Sequence, residues 1–165
     1  MENFDTAAVH ARTEKGIPLY YYTGHSLAEK HLGPVSEYHF EHGIVYYGRD
    51  FGEGPVTEYV AEMDDGTTIL YKKPKEEHRL KKLYDAIESV RNNTHPVCTI
   101  QCAIPHLEAV EHLKTLPILP VREDQIQWSG EESDRYCCIK QAGEVLKSCY
   151  FNQQMPSEAG ADWIK

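Results

Sequence analysis

Hydrophobic positions along this chain follow two periods. The first seventy residues alternate: Ile17 to Thr23 is rich in tyrosine and aliphatic residues, and Glu37-Tyr38-His39-Phe40-Glu41 and Ile44-Val45-Tyr46-Tyr47 flank His42-Gly43, a turn signal. Thr57 to Met63 and Thr67 to Tyr71 flank Asp64-Asp65-Gly66, and that combination predicts a hairpin because Asp and Gly tolerate the backbone angles of a tight turn. From Leu80 the period changes to that of a helix. Leu80, Leu83, Tyr84, Ile87 and Val90 form one apolar stripe, which stops at Asn92-Asn93-Thr94-His95-Pro96. Thr99 can cap a second helix, whose stripe is Ile100, Ala103, Leu107, Val110 and Leu113, running to about Leu116. Pro117 to Val121 follows, then strands at Gln125 to Trp128 and Arg135 to Ile139, and a last helix from about Gly143 to Phe151. The expected architecture is α+β: a mostly antiparallel open sheet with helices packed on one face, in a single domain over 1–165. No linker, internal repeat or low-complexity tract interrupts it.

Composition narrows the function classes. At 165 residues with 41% hydrophobic and 26% charged positions, the chain suits one domain with a core. A net charge of -9 argues against nucleic acid, which needs clustered Lys and Arg. Lys72, Lys73, Lys75, Arg79, Lys81 and Lys82 do cluster, but Glu76 and Glu77 interrupt them, as on a solvated helix face. No apolar run approaches the roughly 20 residues that span a bilayer. The N-terminus lacks the basic start and apolar centre of a signal peptide. Five cysteines, Cys98, Cys102, Cys137, Cys138 and Cys149, are odd in number and irregular in spacing, which suits reduced thiols in a cytoplasm. Cys98 and Cys102 lie four apart, yet no second pair stands at zinc-finger spacing, so no metal is expected.

Candidate chemistry is sparse. His39 and His42 differ by three in a strand-turn region, and His106 and His112 sit about 120° away from a shared helix face, so neither pair builds a metal site. No Gly-x-Ser-x-Gly turn supports a hydrolase triad. Eleven tyrosines against four phenylalanines carry more weight. Tyr20, Tyr21, Tyr22, Tyr38, Tyr46, Tyr47, Tyr59 and Tyr71 all fall in predicted strands, and consecutive tyrosines must face both sides of a sheet. A broad tyrosine-rich face is suited to an interface or a carbohydrate surface, against the plain reading that tyrosine simply favours strands.

Three segments in order carry a family resemblance. Leu83-Tyr84-Asp85-Ala86-Ile87 with Asn92-Asn93-Thr94-His95-Pro96-Val97-Cys98-Thr99 resembles a helix-turn-helix late in the Gfo/Idh/MocA dehydrogenases, relatives of glucose-fructose oxidoreductase and inositol 2-dehydrogenase. Glu2 to Val9 and Tyr22-Thr23-Gly24-His25-Ser26 look like the first strands of their C-terminal domain. Gly143-Glu144-Val145-Leu146, Cys149-Tyr150, Met155-Pro156-Ser157-Glu158 and Trp163 look like its closing helix and tail. The resemblance implies His25 as a substrate-binding residue, because a His stands there in the resembling subfamily. It also implies homo-oligomerisation through the open tyrosine face.

What the chain lacks is equally informative. No Gly-x-Gly-x-x-Gly turn occurs to hold a pyrophosphate; Gly52-Glu53-Gly54-Pro55 is the nearest, and its acidic neighbours would repel one. Lys72-Lys73-Pro74 imitates the family's Glu-Lys-Pro signature without a nucleotide fold before it, and the family's Asp-x-x-x-His helix would fall upstream of Glu2. The expectation is therefore a C-terminal substrate-side and oligomerisation domain of an NAD(P)-dependent sugar or polyol dehydrogenase, inactive alone. No cofactor-binding residue, catalytic residue or metal is expected in the chain, and NAD(P) belongs to a full-length homologue. The alternative is a free-standing sugar-binding or scaffolding protein of the same fold; a separate nucleotide-binding subunit is a further possibility. Neither the substrate nor the status of Met1 as a native start follows from the sequence.

Overall fold

The computed structural model describes residues 4–29, 32–49, 58–72, 80–96 and 98–163. It is an α+β protein with eight strands and three helices among those residues, and every ladder is antiparallel. The strands form three ladders where one open sheet was expected: a pair, a four-stranded meander and a second pair. Alternation along a strand reveals which side it buries, not which strands it joins. The contacts group into two compact units, Met1–Leu32 with Ile118–Lys165, and Gly33–Pro117.

The first unit draws on both ends of the chain. β1 (Thr6–Arg12) and β2 (Pro18–Gly24) make a hairpin in which Thr6 pairs with Gly24 and Arg12 with Pro18. Its turn closes through the Thr13 N–H to the Ile17 carbonyl, with Gly16 at positive φ. In the C-terminal segment, β7 (Ile126–Ser129) pairs with β8 (Tyr136–Ile139), and α3 (Ala142–Asn152) follows. Long-range bonds join the segments. The Ile139 N–H donates to the Ser26 carbonyl at 2.9 Å, and the Tyr136 hydroxyl donates to the Ala28 carbonyl at 3.1 Å. The Tyr22 hydroxyl lies 3.1 Å from the Cys149 carbonyl and 2.8 Å from that of Gln154, so β2 holds the C-terminal end of α3. Cys138, Ile139, Ala142, Leu146 and Cys149 are buried and make the core of this unit. Near the start of α3, a side chain on Gly143 would overlap the Glu29 carboxylate, so glycine is what lets an acid approach that helix N-terminus.

The second unit holds the meander and the other two helices. β3 (Ser36–Phe40), β4 (Gly43–Tyr47), β5 (Glu58–Met63) and β6 (Thr68–Lys72) pair in chain order. The β5–β6 turn is the one that Asp64-Asp65-Gly66 predicts. Gly66 takes φ 85°, its N–H bonds the Met63 carbonyl, and the Asp65 carboxylate accepts the Thr67 N–H at 2.8 Å. That bonding to Thr67 lowers the Asp65 carboxyl below its ordinary value. α1 (Lys81–Arg91) and α2 (Ile100–Lys114) are separated by the predicted asparagine turn.

Two expectations about these helices need correction. Thr99 stands at the N-cap of α2, but its hydroxyl lies 3.5 Å from the Cys102 thiol and makes no capping bond to the backbone. Neither helix buries a residue: Leu83, Ile87, Val90, Ile100 and Leu107 are all exposed. Amphipathicity reports which side of a helix seeks cover and leaves open what provides it. α2 also carries Pro105, which removes one intrahelical donor.

Candidate functional site

The meander register sorts its side chains into two unlike faces. Directly paired residues share a face and alternate residues do not. Tyr38, Val45, Ala61 and Ile69 therefore lie in one row, with Phe40, Gly43 and Met63 on one side of it and Ser36, Tyr47, Tyr59 and Tyr71 on the other. This face carries no charged residue. The Tyr47 and Tyr59 rings sit 4.9 Å apart in a tilted contact, within the distance range of aromatic pairs. Tyr38, Phe40, Tyr59, Met63, Ile69 and Tyr71 are between 36% and 65% exposed, so the face is not a closed core. At one end Phe40, Gly43, Ile44, Val45 and Met63, with Glu41 and His42 of the adjoining turn, line a hollow of about 280 Å³.

The opposite face of the same strands is ionic. Glu37, Tyr46, Val60 and Leu70 make one row, and His39, Ile44, Glu62 and Thr68 the next. Arg49, just past β4, donates from Nε and Nη2 to Glu37 at 3.2 and 3.0 Å and from Nη1 to Glu62 at 3.2 Å. Its guanidinium stands 3.9 Å over the Tyr46 ring, and the Tyr46 hydroxyl donates to Glu62 at 2.8 Å. His39 Nε2 meets Glu37 at 2.6 Å. Burial first, and then the bond to Glu62, raise the Tyr46 hydroxyl above its ordinary value. With its donors shared between two carboxylates, Arg49 acts as a cross-strand tie.

His25, the residue the resemblance singles out, lies directly after β2. Its N–H donates to the Asp5 carbonyl at 3.0 Å, while its side chain is exposed and has no hydrogen-bond partner among the described residues. Ser26 beside it reaches Asp5 Oδ2 at 3.5 Å, a long contact for a hydroxyl donor. His25 is thus placed, exposed, just past a strand end. Among the described residues no group of three or more His, Cys, Asp or Glu could hold a metal ion, and no helix is long and apolar enough to cross a membrane. Gly52-Glu53-Gly54-Pro55 and Lys73-Pro74 lie outside the described residues.

No family model matches the chain, and no curated protein or solved structure matches it either.

Sequence reasoning missed a second hollow of about 290 Å³ in the first unit. Gln141, Glu144, Val145 and Ser148 recur at helical spacing along one side of α3 and face Ala159 of the closing turn. An amide, a carboxylate and a hydroxyl line it over a small aliphatic patch. The spacing of these residues was present in the sequence, but the turn that makes the opposite wall was not predictable from it. Cys98, Cys102 and Cys137 are exposed thiols, while Cys138 and Cys149 are buried. Burial pushes the Cys149 thiol up, away from reactivity.

Proposed function

We propose that this chain is a non-catalytic, substrate-side assembly module, of the kind its resemblance to the C-terminal domain of Gfo/Idh/MocA dehydrogenases implies, and that it self-associates through the aromatic face of its meander. The carrying observation is that face. A whole aromatic side chain offers about 150–250 Å², so four half-exposed rings with Met63 and Ile69 present roughly 500 Å² of apolar surface. That lies toward the top of the roughly 300–600 Å² found for the largest patch on a monomer and supplies more than half of the roughly 800 Å² per partner of a standard interface. An uncharged aromatic sheet face backed by an ionic one matches the composition of an interface centre. Nucleotide chemistry would come from another domain or subunit holding NAD(P), which carries the reactive hydride, while this chain would contribute positioning.

Sedimentation velocity tests the assembly reading. The chain is expected to sediment as a dimer or larger species at micromolar concentration, and Phe40→Asp with Tyr71→Asp to weaken self-association at least tenfold without altering circular dichroism. A wild-type chain that stays monomeric at high micromolar concentration would sink it. Calorimetric titration with NADH tests the division of labour: saturable binding would place a nucleotide site in this chain and overturn the module reading.

The hollow beside α3 favours a second reading, a free-standing sugar-binding protein. Gln141, Glu144 and Ser148 offer donors and acceptors suited to hydroxyl groups, and a volume near 300 Å³ is at the small end of ligand sites. Chemical-shift mapping with glucose or myo-inositol checks it, since perturbations along α3 would support it and an unperturbed spectrum would reject it.

A further inference from the structure

The meander face alone is small for a stable interface. Its roughly 500 Å² of apolar surface falls about 300 Å² short of the roughly 800 Å² per partner of a standard one. The same unit exposes a second apolar surface, the stripe of α1, where Leu80, Leu83, Tyr84, Ile87 and Val90 are between 37% and 83% exposed. At about 100 Å² for a whole aliphatic side chain and 150–250 Å² for an aromatic one, five side chains about half exposed add roughly 300 Å². Together the two surfaces reach the size a dimer needs. Pairing two meander faces with each other would bury the smaller area and leave both α1 stripes in water.

Length and charge match the helix to the sheet. The 11 residues of α1 run about 16 Å at about 1.5 Å per residue, and the five residues of β4 run about 17 Å at roughly 3.4 Å each. The end of the face where Phe40, Gly43 and Met63 pair is bounded by the exposed acids Glu41, Asp64 and Asp65 of two turns. α1 closes with Arg91, exposed and without an ion pair among the described residues. Arg91 follows Ile87 by four and so flanks the stripe. Laying α1 along the strands with Arg91 toward those acids makes the potentials complementary. It also brings Val90, 83% exposed, over the hollow of about 280 Å³ beside Gly43. Leu83, about 10 Å back along the helix, then reaches Tyr47, Tyr59 and Tyr71 at the other end of the face. α2 exposes Ile100, Ile104 and Leu107, but its one lysine, Lys114, is held by Glu111, so it offers an acidic rim no unpaired Lys or Arg.

We propose that the occupant of the meander face is α1 of a second copy of this chain, with Arg91 set against Glu41 and Asp64, and that the exchange is reciprocal. This rests on the self-association reading and specifies its contact. Two identical contacts related by a two-fold axis close the assembly at a dimer, because each copy both offers α1 and receives it.

Sedimentation velocity of the full chain and of mixed variants tests it. Leu83→Asp with Val90→Asp should weaken the dimer at least tenfold, as Phe40→Asp with Tyr71→Asp does from the other side. Mixed in equal amounts, those two double variants should recover a dimer that neither forms alone, since one unaltered α1 then meets one unaltered meander. All of these side chains are exposed, so each variant should keep the wild-type circular dichroism. A milder pair gives an independent readout: Arg91→Glu should weaken association about tenfold, and adding Asp64→Arg to the same chain should restore it. A monomeric wild-type chain would overturn both this contact and the self-association reading. A wild-type dimer that the α1 substitutions leave intact, a mixture that stays monomeric, or an Arg91→Glu defect that Asp64→Arg does not reverse would overturn the α1 contact and leave self-association through the meander standing.

Discussion

Tyr22 shows how one side chain joins distant parts of the chain. Its hydroxyl sits between the Cys149 and Gln154 carbonyls at the end of α3, and burial first, then the neighbouring Cys149 thiol, pushes it up to about 12. The unfolded chain ionises at an ordinary tyrosine value near 10 while the folded chain keeps its proton. Between pH 10 and 12 the unfolded state therefore binds fewer protons, and stability falls as pH rises through that window. Below pH 10 the contribution is fully present. Tyr22→Phe should cost about 0.5–1.5 kcal/mol at neutral pH, the net worth of one hydrogen bond, and should flatten the alkaline decline; urea denaturation across pH 7 to 11 measures both. That Tyr22 lies in a strand was legible from the sequence. Its partners were not, because they lie 127 and 132 residues away and strand alternation is a local signal. His25 shows the opposite case: the sequence marked it through a resemblance, and the structure places it exposed at a strand end.

Among elements, those whose signals are local were legible. The Asp64-Asp65-Gly66 turn, the α1–α2 break at the asparagines, and α3 follow the sequence within a residue or two. Less legible was why Gly43 starts β4. It was read as part of a turn, but it is the first residue of the strand, pairs with Met63, and is buried at φ 154°. A Cβ there would overlap the Glu62 carbonyl and press on the Met63 Cα, both backbone atoms that a side-chain shift cannot move. Gly43→Ala should therefore destabilise the meander by roughly 1–3 kcal/mol from backbone strain alone, and the crowding at β5 adds to that. Thermal unfolding followed at 222 nm would read the loss; an unchanged midpoint would mean that β4 and β5 are not held this closely. The helices teach the complementary point. Their stripes were visible, but Thr99 spends its hydroxyl on a thiol, and the apolar side chains of α1 are exposed, features set by neighbours in space.

At the scale of the whole molecule, burial is uneven. Among the described residues, five of the six buried hydrophobic ones, Cys138, Ile139, Ala142, Leu146 and Cys149, belong to the unit built from both chain ends, and Ala61 lies in the meander unit. This division was not legible, because closing a unit from segments separated by more than eighty residues leaves no periodic trace. It has a consequence for dynamics. Amide protection follows the local free energy of opening, which rises with buried apolar contact. Hydrogen exchange of the dilute chain should therefore be slowest in β8 and α3 and fast in α1 and α2, which bury nothing. Self-association through the aromatic face adds a second, concentration-dependent source of protection, since a partner that binds only the folded face stabilises it by mass action. Raising the protein concentration tenfold should slow exchange in β3 to β6 while leaving β8 and α3 unchanged. Exchange in the meander that is independent of concentration would mean that its tyrosines meet water, and the face would then have to serve a different partner.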